Sequence, residues 1–169
     1  EAFDIPREMV VALVRAAREA GAHPHVALRD MRVMRALVDG APDEALDVWA
    51  DVDLHRMSAM QAYIGLRGGA NASEYAGVPQ EQMQRWARRY AKPVHFERRI
   101  NHTRWCVLRW PSPSMAQLAE TSTEAFEDFY FRACTMDYAR MARAVEPLAA
   151  RIRAAHRVRI VGPGDTDLS

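Results

Sequence analysis

The chain has 169 residues, enough for one ordinary domain with a real core, since a domain of about 150 residues hides roughly 68–70% of the surface its unfolded form exposes. It is 49% hydrophobic and 27% charged, and no apolar run reaches the roughly eighteen residues that a membrane span needs, so the composition excludes both a membrane protein and a disordered one. Its 23 Lys and Arg balance 22 Asp and Glu and are scattered along the chain, a poor electrostatic footprint for nucleic acid.

From Pro6 to Ala20 the apolar residues Met9, Val10, Leu13, Val14 and Ala17 recur at helical spacing, with Asp4 and Pro6 as start signals and Gly21 as a stop. His25-Val26-Ala27-Leu28 reads as a short buried strand. Helices follow over Arg32 to Val38 and over Pro42 to Met60, the second carrying Leu46, Trp49 and Met57. Gln61 to Arg67 is the next strand and ends in Gly68-Gly69-Ala70-Asn71. Pro79 opens a helix with the apolar face Met83, Trp86, Ala87 and Tyr90, which Pro93 is expected to end.

Thr103 to Trp110 carries the strongest strand signal in the chain and is stopped by Pro111-Ser112-Pro113. Thr121-Ser122-Thr123-Glu124 fits a capping box, and Phe126, Phe129, Tyr130, Ala133, Met141, Val145, Leu148 and Ile152 extend a helical face to about His156, with a kink or division expected at Pro147. Arg157 to Val161 is the last strand and runs into Gly162-Pro163-Gly164.

Strands alternating with helices over short connections specify an α/β domain with a mainly parallel sheet flanked by helices. Residues 1–169 read as one such domain, with the runs around Val26, Ile64, Val107 and Ile160 in one sheet. Trp86, Phe126, Phe129 and Tyr130 are expected to be mostly buried against it. Because a doubly wound unit normally opens with a strand, the first strand is expected to lie N-terminal to Glu1, outside the sequence.

Few residues are arranged for chemistry. His23-Pro24-His25 could present two imidazoles to a metal, but a hydrolytic centre needs at least three ligands and an open position. Cys106 has His95 and His102 upstream, yet Cys106 and Cys134 both sit in apolar segments and are expected to be buried, unpaired and slow to react. The turns Gly68-Gly69 and Gly162-Pro163-Gly164 could cradle a phosphate or carboxylate with backbone amides, although no lysine or helix-opening glycine motif accompanies them. Arg99, Asn101, His102 and Trp110 flank the best strand and form a candidate interaction surface.

The segment from Arg99 through Trp110-Pro111-Ser112-Pro113-Ser114 to Ala119 resembles the aminopeptidase T and aminopeptidase S family, as do Ser122 to Phe131, Cys134 to Met141, Val158 to Gly164 and Ala62 to Arg67. One departure is Asp165, which intervenes before Thr166-Asp167-Leu168 where the family runs Gly-Pro-Gly-Thr-Asp-Leu. The resemblance implies a Rossmann-like but incomplete N-terminal domain of a dimeric, cytoplasmic exopeptidase that removes N-terminal amino acids from peptides. It further implies two divalent ions, zinc or cobalt, held by Glu, His and Asp side chains of a C-terminal domain to which no residue here corresponds. By that reading the fragment is scaffold, shapes the cleft and has no activity alone. The alternative is a non-catalytic α/β module that binds a ligand through its two glycine turns.

Overall fold

Four short strands build the main sheet of the computed structural model, which describes residues 1–168: β1 (Ala2–Phe3), β2 (Leu28–Arg29), β3 (Ala62–Arg67) and β4 (Arg104–Arg109). Their order is β2-β1-β3-β4 and every pairing is parallel, with Ala2 beside both Leu28 and Leu66 and Ala62 beside Arg104. The α/β architecture expected from the sequence is therefore present. Between the strands run α1 (Arg7–Glu19), α2 (Met31–Val38), α3 (Asp43–Ser58) and α4 (Gln80–Trp86). The chain divides into two compact units, residues 1–127 and residues from Asp128 on.

Local chemistry explains most element boundaries in the first unit. Asp30 caps α2 by accepting the Val33 amide hydrogen at 2.9 Å, and α3 starts after Pro42 with Asp43 and Glu44 in its first turn, where the helix dipole favours negative charge. Leu46, Ala50, Asp53 and Met57 fall on the inner face of α3 and pack towards the sheet. Met57, Tyr63, Tyr90, Ala91 and Val94 then close the main core, with Val94 and Val38 fully buried. Burying each such side chain contributes about 1.5–3 kcal/mol.

The structure corrects five expectations about the helices and strands. A strand does precede α1, because Ala2–Phe3 lies between β2 and β3 at the centre of the sheet; two residues are too few to give a sequence period. The second strand falls at Leu28–Arg29, a little later than expected. The run around Ile160 does not join the main sheet: β5 (Ile160–Val161) pairs antiparallel with β6 (Asp167–Leu168) across the Gly162–Thr166 turn.

Pro93 does not end its helix either. After Trp86 the chain continues as a π-helical stretch, Ala87–Arg99, and finishes in the short turn α5 (Ile100–His102). The Ile100 amide donates to the His95 carbonyl five residues back. A proline lacks the amide hydrogen and crowds a carbonyl one α-turn earlier, and the wider ladder moves that carbonyl away from the ring.

The last correction concerns the apolar stripe from Phe126. Beyond α6 (Pro113–Leu118) it is divided between α7 (Thr123–Cys134) and α8 (Tyr138–Ala154), with Ser122 and Asp137 as their caps, while Pro147 lies inside α8. Phe129 is 59% exposed, and Phe126 and Tyr130 are only partly covered. A helical period marks a face of the sequence as apolar and does not by itself fix how deeply that face is covered.

Both cysteines are free and exposed, against the expectation of buried thiols. Cys106 lies on β4, the outermost strand of the sheet, and its neighbour Leu108 on the same face is 45% exposed. Edge position leaves the thiol open although its sequence neighbours are apolar. Cys106 and Cys134 should each react with a disulfide reagent in the native protein, and Cys106→Ser should remove one equivalent of labelling. A native protein that labels only after denaturation would contradict the exposed edge.

Leu46→Ala should cost about 2–5 kcal/mol in urea unfolding, whereas Val48→Ala, on the outer face of the same helix, should change stability by less than about 0.5 kcal/mol. Equal losses would mean that α3 buries a different face.

Candidate functional site

Charged and phenolic side chains converge beneath the sheet, where α3 and the π-helical stretch cover one face. Glu1 precedes β1, Arg29 ends β2, Asp53 and Arg56 lie on α3, Tyr63 lies on β3, and Tyr90 and His95 come from the π-helical stretch. Arg56 Nη2 donates to Glu1 Oε1 at 2.6 Å and Tyr63 Oη to Glu1 Oε2 at 2.8 Å. Asp53 Oδ2 accepts from Arg29 at 2.7 Å, Tyr90 at 2.6 Å and Trp49 Nε1 at 3.1 Å. Its Oδ1 lies 3.1 Å from Arg56. Two carboxylates thus alternate with two guanidiniums, and each carboxylate is almost wholly buried.

Burial pushes the Glu1 carboxyl upward, but the Tyr63 hydrogen bond and the positive charges around it, His95 and Arg56 among them, outweigh that and hold it at about 2. His95 is itself held at about 4 by burial, partly opposed by Glu1, so it carries charge only in acid and the arginine is the relevant side-chain cation at neutral pH. Tyr63 and Tyr90 are raised, first by burial and then by the carboxylates they donate to. The Tyr63 ring lies along its own strand over Gly65, where a Cβ atom would stand 2.9 Å from Tyr63 Cε1. Glycine at 65 therefore makes room for the phenol to reach Glu1.

Such perturbation marks active sites, and it also marks structural ion-pair networks. Here each carboxylate oxygen of Glu1 and Asp53 already has a donor, which leaves neither of them poised as a base or ligand. The network joins β2, α3, β3 and the π-helical stretch as a support.

The four residues of the candidate surface do not come together. Arg99, Asn101 and His102 stand at the amino end of β4 and Trp110 at its carboxyl end, about 20 Å of strand apart. Arg99 is buried, with its guanidinium 5.1 Å from the Tyr63 ring and 5.0 Å from the Trp105 ring, a cation–π clamp on the sheet face. Asn101 donates to the Glu97 carbonyl at 3.0 Å, and His102 is exposed. The Trp110 amide extends the β3–β4 ladder by donating to the Arg67 carbonyl at 2.8 Å.

Other constellations are also separated or used structurally. Cys106 pairs in register with Ile64 on the face opposite Tyr63, whereas the His95 ring lies 6.3 Å from Tyr63, so the sheet stands between thiol and imidazole. Gly68 packs against β1: a Cβ there would lie 2.4 Å from the Asp4 carbonyl oxygen, so a negatively polarised atom fills the space a phosphate would need. Gly164, at φ +68°, forms the turn between β5 and β6. His23 and His25 are exposed, and among the described residues no three His, Cys, Asp or Glu side chains stand together as a metal site. The donor sets present therefore do not fit a hydrolytic metal.

Sequence reading did not find the Glu1–Asp53 network. Asp53 sits on the apolar face of α3, in step with Leu46, Ala50 and Met57, and a carboxylate at that phase is the one signal that a buried partner must exist.

Acid should weaken the fold through these groups. His95 resists protonation in the folded state, so stability falls as pH drops from its ordinary 6.5 towards 4. Glu1 adds a further loss from 4.5 down to about 2, because its depressed value stabilises the fold only where the carboxylate is ionised. Urea midpoints across this range should decline, and His95→Gln should flatten the upper part of the decline. An unchanged slope in that variant would remove His95 as its origin.

No curated protein and no solved structure matches the chain. Its sequence pattern does match a family model described as thermophilic metalloprotease (M29), over residues 5–157. That span takes in β2, β3 and β4, the helices around them and all of α7 and α8, and it leaves out β1, β5 and β6. The chain thus belongs to the thermophilic metalloprotease (M29) family.

Proposed function

We propose that the chain is the scaffold portion of a metal-dependent aminopeptidase that removes N-terminal residues from peptides. The observation that carries this reading is a metalloprotease family match over residues 5–157 in a chain among whose described residues no group of donors fits a metal ion. The carboxylates most suited to a metal, Glu1 and Asp53, are consumed by arginines and tyrosines. Two divalent ions, zinc or cobalt, would be held by residues of a catalytic domain outside those described. That domain would supply the metal-activated water and the polarised carbonyl of peptide hydrolysis. The part of the α/β unit would be to hold a rigid sheet beside that domain, shape access to its cleft and contribute to a homodimer in the cytoplasm.

No observation favours the ligand-binding module, because the Gly68 turn is filled by the Asp4 carbonyl and Gly164 serves a hairpin.

The purified 169-residue chain should not turn over an aminoacyl anilide with added cobalt or zinc, and should retain less than one equivalent of either after dialysis. Turnover above the metal-only blank, lost on chelation, would place a complete site within these residues and overturn the proposal.

A further inference from the structure

Among the described residues, no strand lies against the outer side of β4. The Arg104 amide donates to the Gln61 carbonyl at 3.2 Å, and the Trp110 amide donates to the Arg67 carbonyl at 2.8 Å. Backbone groups alternate sides along a strand, so Arg104, Cys106, Leu108 and Trp110 direct theirs to β3, and Trp105, Val107 and Arg109 direct theirs outward. Three amides and three carbonyls thus face away from the sheet in one row. Every residue of β4 except Val107 is exposed, with Trp105 at 49% and Leu108 at 45%, and no proline or glycine interrupts the strand. Such an edge is a template for another strand.

The run Arg104-Trp105-Cys106-Val107-Leu108-Arg109-Trp110 is complementary to its own reversal. Turned about Val107 and laid antiparallel, it sets Arg104 opposite Trp110, Trp105 opposite Arg109, Cys106 opposite Leu108 and Val107 opposite itself. Each cation then meets an indole, each thiol meets an aliphatic chain, and no like charges are opposed. The backbone fits the same alignment. Trp105, Val107 and Arg109 meet Arg109, Val107 and Trp105 of the mate, so the opposed residues are those able to exchange both hydrogen bonds. A parallel mate in register would instead oppose Arg104 to Arg104 and Arg109 to Arg109, like charges side by side.

We propose that β4 is an interface between two copies of this chain, joined antiparallel about a two-fold axis at Val107 so that one sheet runs through both. The two-fold consumes both β4 edges, and the contact closes at two copies. It gives the homodimer proposed above a defined surface, and it rests on β4 alone, so peptidase activity has no bearing on it.

Sedimentation of the 169-residue chain should show a monomer–dimer equilibrium. Where the dimer dominates, the Trp105, Val107 and Arg109 amides should exchange about tenfold or more slowly than after dilution to monomer. The Cys106 and Leu108 amides, bonded to β3, should stay slow in both. In a Cys134→Ser background, Leu108→Cys should link two copies through the native Cys106 on mild oxidation, because opposed residues without mutual backbone bonds bring their Cα atoms to about 4.5 Å, within disulfide range. Arg104→Cys in the same background is out of step with Cys106 of the mate and should not. A chain that stays monomeric at every concentration would overturn the proposal, as would a dimer whose Trp105, Val107 and Arg109 amides remain in fast exchange. Equal cross-linking in the two cysteine variants, or none in either, would also overturn it, because the register would then be absent.

Discussion

The buried carboxylate of Asp53 sets the constraint on which the first unit depends. An ionised carboxylate without partners in an apolar interior is costly by several kcal/mol, so the helix that carries it can pack only where donors meet it. Those donors come from the end of β2, from α3 itself and from the π-helical stretch, as Arg29, Arg56, Trp49 and Tyr90. Glu1 repeats the arrangement one layer closer to the sheet with Arg56, Arg29 and Tyr63. With both carboxylates satisfied, α3, the sheet and the π-helical stretch are fixed in position by the same groups.

That constraint also explains the unusual helix. Tyr90 must reach Asp53 from one side while Val94 and Ala91 fill the core and Arg99 clamps the Tyr63 and Trp105 rings. A wide ladder lets one continuous segment present these side chains despite Pro93. Trp49 stacks against Tyr90 with ring centroids 4.2 Å apart and places an apolar wall around the carboxylate. Outside this core, Arg85 and Arg89 meet Asp43 and Asp47 across α3 and the helix that follows β3, but these pairs are substantially exposed and contribute little individually.

The chain belongs to a metallopeptidase family, and its buried carboxylates are engaged by arginines and tyrosines of its own fold. Exposed apolar side chains occur on β3 and β4 and in the later helices: Trp105, Leu108 and Ile64 are 49%, 45% and 40% exposed, and α7 and α8 have no buried residue.

The sequence by itself determined the helices and the longer strands, because each is written in local terms. Pro79 at a helix start, the period of Leu46, Ala50 and Met57, and the apolar runs of β3 and β4 can all be read without knowing what lies opposite. Family membership was legible for a related reason, since the resemblance is carried by contiguous stretches such as Arg99 to Ala119, which lie within the matched span. What lay beyond local reading was decided by pairing across the fold. Two residues, Ala2–Phe3, become a central strand only because β2 and β3 stand on either side. Pro93 is tolerated because the surrounding core holds a wider helix, and Cys106 is exposed because β4 is an edge. The partners of Asp53 lie up to 37 residues away, and the geometry that makes a buried carboxylate tolerable exists only once those segments have met.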